Sequence, residues 1–140
     1  MQHAVKLVAF DMDGTLTRSE LFGIKSHRAA LQDFNLPPLT DEQILSVYGT
    51  KAHDYMPTLL PGLTPEQIHQ YLVAVGKYQL AFAAKYAQCY EGIPQALQTL
   101  KDNGYTLAVC SNAHMDYIDV LLNTMGIESF FHLKQPLNKG

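Results

Sequence analysis

The sequence has few cysteines, few basic residues and no long apolar run. Cys89 and Cys110 are its two cysteines among 140 residues, and they form no CxxC pair. Lys and Arg number 10 against 13 Asp and Glu, which gives a formal net charge of −3 without any basic cluster. Non-specific binding to nucleic acid or to a membrane surface depends on clustered positive charge. We therefore expect neither a nucleic acid nor a membrane as a partner.

The chain also lacks any segment long enough to cross a bilayer. Its longest apolar stretches, Leu7–Phe10 and Thr106–Cys110, are far shorter than the roughly 20 residues of a membrane-spanning helix. Met1-Gln2-His3 has neither the charged start nor the apolar centre of a signal peptide. Together with the two dispersed cysteines, these features predict a globular protein of the reducing cytoplasm. A hydrophobic content of 47% and a length of 140 residues fit one core with a small insertion.

Two buried strands near the ends of the sequence predict a parallel sheet. Ala4–Phe10 is almost wholly apolar, which is typical of a strand buried on both faces. Tyr105–Cys110 predicts a second strand of this type, and helical segments precede and follow it. Residues 1–17 and 89–140 therefore predict an α/β, Rossmann-like parallel-sheet core.

Residues 18–88 predict helices only, as a helical insertion just after the first strand. Thr40 with Gln43, and Thr64 with Gln67, each match a capping box at a helix start. Two prolines and a glycine predict an irregular stretch between these two helices. The helices predicted along the whole chain cover 19–34, 40–48, 64–86, 93–103 and 115–125.

Asp11 and Asp13 follow the first strand, at the edge where open parallel sheets bind their ligands. Two carboxylates so close repel each other unless a cation or a proton lies between them. Carboxylate oxygens suit Mg²⁺, which leaves room for a phosphate, and Gly14 lets the backbone approach a ligand closely. The pair predicts a metal site with one carboxylate as nucleophile and the other as acid or base.

The segment Asp11–Gly14 also has simpler interpretations. An Asp-Gly dipeptide is commonly a solvated turn, an alternative of equal weight on these residues alone. A hairpin turn is disfavoured because no second alternating strand follows. A calcium loop is excluded, since its twelfth residue is Phe22 rather than Glu and a strand precedes it.

A second polar pair, Ser111 and Asn112, follows the second strand where a helix is expected to begin. Backbone N–H groups at a helix start bind anions, and the serine hydroxyl adds a donor. Because the two strands are parallel, we expect this pair to face the aspartates and to bind phosphate. A plain helix cap is the alternative.

Together these segments resemble the haloacid dehalogenase superfamily of phosphohydrolases. The resemblance covers nearly the whole chain. It rests on three consecutive features: FDMDGTLTRSE after a buried strand, a helical insertion, and then YEGIPQALQTLKDNGYTLAVCSN. The position of the insertion is similar to that in the phosphoglycolate phosphatase and β-phosphoglucomutase group, in which it forms a helical cap. The resemblance implies a Mg²⁺-dependent phosphatase that acts on a small phosphorylated metabolite.

The resemblance also implies roles for individual residues. Asp11 would be the nucleophile that forms an aspartyl phosphate, and Asp13 would be the acid and base. The Asp11 carboxylate and the Asp13 backbone carbonyl would hold Mg²⁺. Phosphate contacts would come from Thr15, Ser111, Asn112 and Lys139.

The chain departs from the family pattern in two places. Arg18-Ser19 stands where Asp-Ser is usual, at the hinge of the cap. The family's third motif is a lysine, for which Lys139 is the first candidate and Lys134 a lesser one. Its fourth is an acidic pair, on a further strand, with no counterpart in these 140 residues. We therefore expect a C-terminally truncated phosphatase, or a chain completed by another copy or polypeptide, with Ala4–Phe10 as an open apolar edge prone to self-association.

Two other functions stay open on the sequence alone. A catalytically silent fragment would persist as a binding or interaction module, and a sugar phosphomutase would pass phosphate to a sugar instead of water. Lys51 and His53 lie in the cap loop where this group contacts its substrate. His27, His69 and His114 show no metal-ligand spacing and are interpreted as ordinary histidines.

Overall fold

The computed structural model describes residues 6–111 and 113–136, which form two compact units. One unit contains residues 6–18, 88–111 and 113–136, and the other is Ser19–Ala87. None of the described helices is long and apolar enough to cross a membrane. The helices are α1 (Glu20–Asp33), α2 (Asp41–Leu45), α3 (Ala52–Leu59), α4 (Pro65–Tyr86), α5 (Ile93–Asp102) and α6 (Met115–Met125), and a 3-10 turn covers Glu128–Phe130.

A parallel sheet of three strands forms the centre of the first unit. Its strands are β1 (Leu7–Asp11), β2 (Thr106–Ser111) and β3 (Leu133–Pro136), in the order β1-β2-β3. β2 is parallel to both neighbours, and Asp11 is in register with Cys110. The carboxyl ends of β1 and β2 therefore lie side by side at one edge of the sheet. The predicted α/β parallel-sheet fold is confirmed.

β1 differs from the predicted strand buried on both faces. Its residues alternate between exposed and partly buried, and the Leu7 side chain is 54% exposed. Among the described residues β1 pairs only with β2, so the structure contains no strand along its other edge. The predicted burial of both faces was therefore wrong, whereas the expected open edge is present among the described residues. Apolar composition alone does not distinguish a central strand from an edge strand. Ala4 and Val5, which the prediction included, lie outside the described residues.

The helices of the sheet unit begin and end close to their predicted positions. α5 packs against β2, and α6 packs against β3. α6 ends where Gly126 adopts a φ of +72°, the left-handed conformation in which glycine commonly ends a helix. β3 was not predicted, because four residues that include two polar side chains and a proline give no strand periodicity.

The helical unit is built around α1 and α4, its most extensive helix pair. Both predicted capping boxes are present, since Thr40 accepts the backbone N–H of Gln43 and Thr64 accepts that of Gln67. All residues of this unit are described, and none is in a strand. The buried core of the unit includes Ala30, Leu31, Ile44, Met56, Ile68, Tyr71 and Val75.

Two boundaries in the helical unit were predicted wrongly. α2 ends at Leu45 rather than at Tyr48. The stretch predicted to be irregular contains α3, with Pro57 inside the helix. A proline removes only one backbone N–H from the helix, and the fully buried Met56 holds this short helix against the core. Tertiary packing therefore outweighs the local preference.

Candidate active site

Asp11 lies at the carboxyl end of β1 and is exposed. Its Oδ1 accepts a hydrogen bond of 2.9 Å from the backbone N–H of Met12. Met12 itself is fully buried and anchors the segment that follows the strand. The carboxylate is thus oriented by the backbone and open to solvent.

The loop after β1 is organised around the Met12 carbonyl. This oxygen accepts the backbone N–H groups of Thr15, Leu16 and Thr17 at 3.3, 2.9 and 3.1 Å. Gly14 has a φ of +76°, which favours glycine, and its N–H bonds to the Thr17 carbonyl at 3.1 Å. The segment is therefore a tight, internally bonded loop, with Thr15 exposed on its surface.

Asp13 is held by a residue of α6 that the sequence analysis did not select. The Tyr117 hydroxyl donates a hydrogen bond of 2.7 Å to Asp13 Oδ1. Tyr117 is 8% exposed, whereas Asp13 is partly buried. A tyrosine in the first turn of the helix that follows β2 is the sequence signal that points to this contact.

Ser111 is the last residue of β2 and is 3% exposed. Its Oγ accepts the backbone N–H of Ala113 at 3.2 Å. Because Asp11 is in register with Cys110, Ser111 lies at the neighbouring strand end, with strands about 4.8 Å apart in such sheets. α6 begins only at Met115, with His114 as its N-cap, so Ser111 does not cap the helix.

The structure therefore brings four of the predicted site residues to the β1 and β2 ends, namely Asp11, Asp13, Thr15 and Ser111. Asn112 and Lys139 lie outside the described residues. Within the described part of the chain, no group of three or more His, Cys, Asp or Glu side chains is placed to hold a metal.

Lys134, the lesser candidate for the third motif, is paired with another side chain. Its Nζ lies 2.7 Å from Asp119 Oδ1, a contact between β3 and α6. This hydrogen bond raises the pKa of the Lys134 ammonium. Lys134 thus forms a salt bridge on the β3 side of the sheet.

The two cysteines are free thiols, as expected from their spacing. Burial raises the pKa of the Cys89 thiol, which favours its protonated, unreactive form. Cys110 lies within β2 and is partly buried. Neither residue has the environment of an activated nucleophile.

Known proteins match this chain over most of its length. Residues 8–134 match the haloacid dehalogenase-like hydrolase family. A phosphoglycolate phosphatase of Haemophilus influenzae (strain 86-028NP) is 30% identical over 139 residues, which cover 94% of this chain and 62% of the relative. Pyrophosphatase PpaX of Listeria welshimeri is 29% identical over 135 residues, which cover 95% of this chain and 60% of the relative.

A solved structure agrees with these matches. The crystal structure of a predicted phosphoglycolate phosphatase from Haemophilus somnus 129pt superimposes with a TM-score of 0.77 at 26% identity, and covers 96% of this chain and 63% of that one. The chain spans about 60% of the length of the two curated relatives named above. From the family match over residues 8–134 and the shared fold, we conclude that this chain belongs to the haloacid dehalogenase-like hydrolase family.

Proposed function

We propose that this chain carries the catalytic centre of a phosphomonoester hydrolase, with Asp11 as the nucleophile. The observation that carries the proposal is the position of Asp11 and Asp13 at the end of β1, beside Ser111 at the end of the parallel strand β2. Family membership supports a hydrolase. Two curated relatives are named for the release of phosphate from small molecules.

The two carboxylates divide the chemistry. Asp11 Oδ1 accepts the Met12 N–H, which leaves Oδ2 to attack phosphorus. As the new bond forms, the bond from phosphorus to the leaving oxygen breaks, and that oxygen takes a proton from Asp13. Asp13 then removes a proton from a water molecule whose oxygen attacks the aspartyl phosphate, and Asp11 and inorganic phosphate are released.

Asp13 is suited to the acid and base role because a hydrogen bond orients its carboxyl group. Oδ1 accepts the Tyr117 hydroxyl at 2.7 Å. A fixed carboxyl group loses less freedom in the transition state, which favours proton transfer.

Donors at the two strand ends would bind the phosphoryl oxygens. The Ser111 Oγ accepts from Ala113 N–H, so its own hydrogen is available to a phosphate oxygen. Thr15 is exposed on the loop and would add a hydroxyl. We assign the same role to Asn112 and Lys139 from the family resemblance alone.

Mg²⁺ is the cation that we propose for this centre. The Asp11 carboxylate and the Asp13 backbone carbonyl are hard oxygen donors, and these suit Mg²⁺ better than nitrogen or sulfur ligands would. When bound, the ion neutralises negative charge on the phosphoryl oxygens. The two donors leave coordination positions for phosphate and water, as Mg²⁺ sites commonly do.

The substrate class that we propose is a small, anionic phosphorylated metabolite. The named relatives act on different compounds, a phosphate ester in one case and a pyrophosphate in the other. What they share is a terminal phosphoryl group on a small anion. Phosphoglycolate is the first compound to test.

The nucleophile assignment is tested with Asp11→Asn. Phosphate release from p-nitrophenyl phosphate and from phosphoglycolate is measured with MgCl₂ in excess over the chain, and again after EDTA. We expect Asp11→Asn and EDTA each to reduce turnover by about 1000-fold. Asp102→Asn, an exposed aspartate on α5, is the matched control.

Four outcomes would contradict this proposal. Unchanged turnover in Asp11→Asn would show that Asp11 is not the nucleophile, and turnover that survives EDTA would show that the reaction does not require a metal ion. A folded wild-type chain that releases no phosphate from either substrate favours the binding-module alternative. Phosphate recovered on an added sugar phosphate instead of in water favours a phosphomutase.

We further propose that the chain self-associates through β1 and resides in the cytoplasm, where its free cysteines stay reduced. Among the described residues, the edge of β1 away from β2 pairs with no strand, and Leu7 is exposed. A lysine at an edge disfavours such pairing. We expect a concentration-dependent mass in light scattering that Leu7→Lys abolishes and Leu133→Lys, on the opposite edge strand, does not. A monomeric wild-type chain at all concentrations would contradict this.

A further inference from the structure

His53 and His69 meet on the surface of the helical unit. His53 is the second residue of α3, and His69 lies in the second turn of α4. His53 Nε2 is 3.1 Å from His69 Nδ1, and the ring planes differ by 28°. Both residues are exposed. No spacing pattern in the sequence predicts this pair, because the contact depends on how α3 packs against α4.

The separation of the two nitrogens fits two ligands of one metal ion. Imidazole nitrogens bind Zn²⁺ at about 2.0–2.1 Å, so two of them at right or tetrahedral angles are about 2.9–3.4 Å apart. The observed distance of 3.1 Å lies in this range. The ring centroids are 5.4 Å apart, so the two nitrogens face each other along the line of the present hydrogen bond. To bind a shared ion, both rings would turn about their side-chain bonds until their lone pairs converge on it.

We propose that His53 and His69 form a binding site for a divalent transition-metal ion such as Zn²⁺ or Ni²⁺. Imidazole suits these ions, whereas Mg²⁺ prefers oxygen ligands. The proposal is therefore independent of the magnesium site proposed at Asp11. Within the described chain no third His, Cys, Asp or Glu completes the group, so water would fill the remaining positions.

The charges near the pair in sequence include both signs. Asp54 follows His53, and Glu66 precedes His69 by three residues, so that two carboxylates favour a nearby cation. The positive charge of Lys51, the N-cap of α3, opposes the binding of a cation. The net contribution of these exposed side chains is small, and the two imidazoles carry the affinity.

A bound ion would connect α3 to α4. The site requires both helices in their folded positions, so the ion binds the folded chain and raises its stability by mass action. α3 is only eight residues long and contains Pro57, so it gains most from such a connection. The expected signature is a melting temperature that increases with metal concentration.

The test uses the whole 140-residue chain with ZnCl₂, NiCl₂ and MgCl₂. At a metal concentration 100 times the dissociation constant, we expect Zn²⁺ to raise the Tm by about 8 °C. MgCl₂ should not raise the Tm of the Asp11→Asn variant, in which the proposed magnesium site is removed. Isothermal titration should give one transition-metal ion per chain. Because both histidines are exposed, His53→Asn and His69→Asn should fold normally.

Single and double histidine variants show whether one metal ion is held by both histidines or whether each histidine binds an ion separately. We expect His53→Asn and His69→Asn each to weaken Zn²⁺ binding by at least tenfold, and the double variant to lose no more than either alone. His132→Asn, an exposed histidine of the other unit, should bind like the wild type. The proposal is wrong if the wild type binds no Zn²⁺, or if either single variant keeps the wild-type affinity, in which case the two rings only share a hydrogen bond.

Discussion

Tyr117 and Asp13 are joined by a hydrogen bond of 2.7 Å across 104 residues of sequence. Tyr117 belongs to the first turn of α6, and Asp13 belongs to the loop after β1. The helix that follows β2 therefore orients a carboxyl group that follows β1. This contact gives α6 a direct role in the geometry of the candidate site.

We expect Tyr117→Phe to reduce kcat by about tenfold and to leave KM nearly unchanged. A hydrogen bond to a carboxylate contributes about 1.5–3 kcal/mol, and each 1.4 kcal/mol in the transition state changes the rate tenfold. The loss should be greater for an alkyl phosphate than for p-nitrophenyl phosphate, because a poor leaving group depends more on protonation by Asp13. Steady-state kinetics with both substrates measure it.

Tyr90→Phe is the matched control, since Tyr90 lies in the same unit and is exposed. A purely structural role of Tyr117 would reduce the rate with both leaving groups equally. Equal losses, or no loss, would contradict a role in positioning Asp13.

The site residues at the sheet edge were predictable because backbone topology alone brings them together. Once two strands are parallel, their carboxyl ends share an edge, and Asp11 and Ser111 occupy those ends. No side-chain geometry is needed for that inference. Tyr117 was missed because its contact with Asp13 depends on the rotation of α6 about its axis, which apolar spacing defines only for the buried face.

The errors in the fold have a common physical origin. β1 is apolar in sequence but partly exposed, and α3 forms although it contains Pro57. In both cases the decisive factor is what packs beside the segment: one paired edge for β1 and the buried Met56 for α3. The His53–His69 contact belongs to the same class, because neither helix reveals it alone.

Gly23→Ala should destabilise the chain by about 1–2 kcal/mol. A Cβ at Gly23 would lie 2.3 Å from Tyr48 Oη and 2.7 Å from its Cζ. Tyr48 cannot move freely, because Gln79 Nε2 donates to its Oη at 2.5 Å. The overpacking cost exceeds the gain of roughly 1 kcal/mol that alanine normally brings to a helix. Urea unfolding followed by circular dichroism measures the difference.

Gly76→Ala, in the same unit, should change the stability of the chain in the opposite direction. Gly76 is also helical, and a Cβ there would meet no atom within 4 Å. We expect it to stabilise the chain by about 0.5–1 kcal/mol. Tyr48→Phe removes the nearest clashing atom and should reduce the cost of Gly23→Ala. A Gly23→Ala variant as stable as Gly76→Ala would contradict the clash.

His27 should make the stability of the chain depend on pH between about 6.5 and 4. The ring is 2% exposed, its Nδ1 lies 2.7 Å from the Tyr71 hydroxyl, and burial lowers its pKa from 6.5 to about 4. In this interval the unfolded chain binds a proton that the folded chain does not, so stability falls as pH falls. The Tyr71 hydroxyl stays protonated throughout, because burial raises its pKa.

The wild-type chain should therefore lose about 2 kcal/mol more than His27→Gln when the pH falls from 7 to 5, because the interval from pH 6.5 to 5 covers roughly 1.5 of the 2.5 units that separate the two pKa values, at about 1.36 kcal/mol per unit. Glutamine keeps a hydrogen-bonding group for Tyr71 but does not titrate, so the difference between the two chains isolates His27 from the carboxylates. Urea unfolding at pH 7, 6 and 5 provides the free energies. His132→Gln, at an exposed histidine, should follow the wild type. Parallel pH profiles for wild type and His27→Gln would mean that His27 is protonated in the folded chain and that its burial does not control its charge.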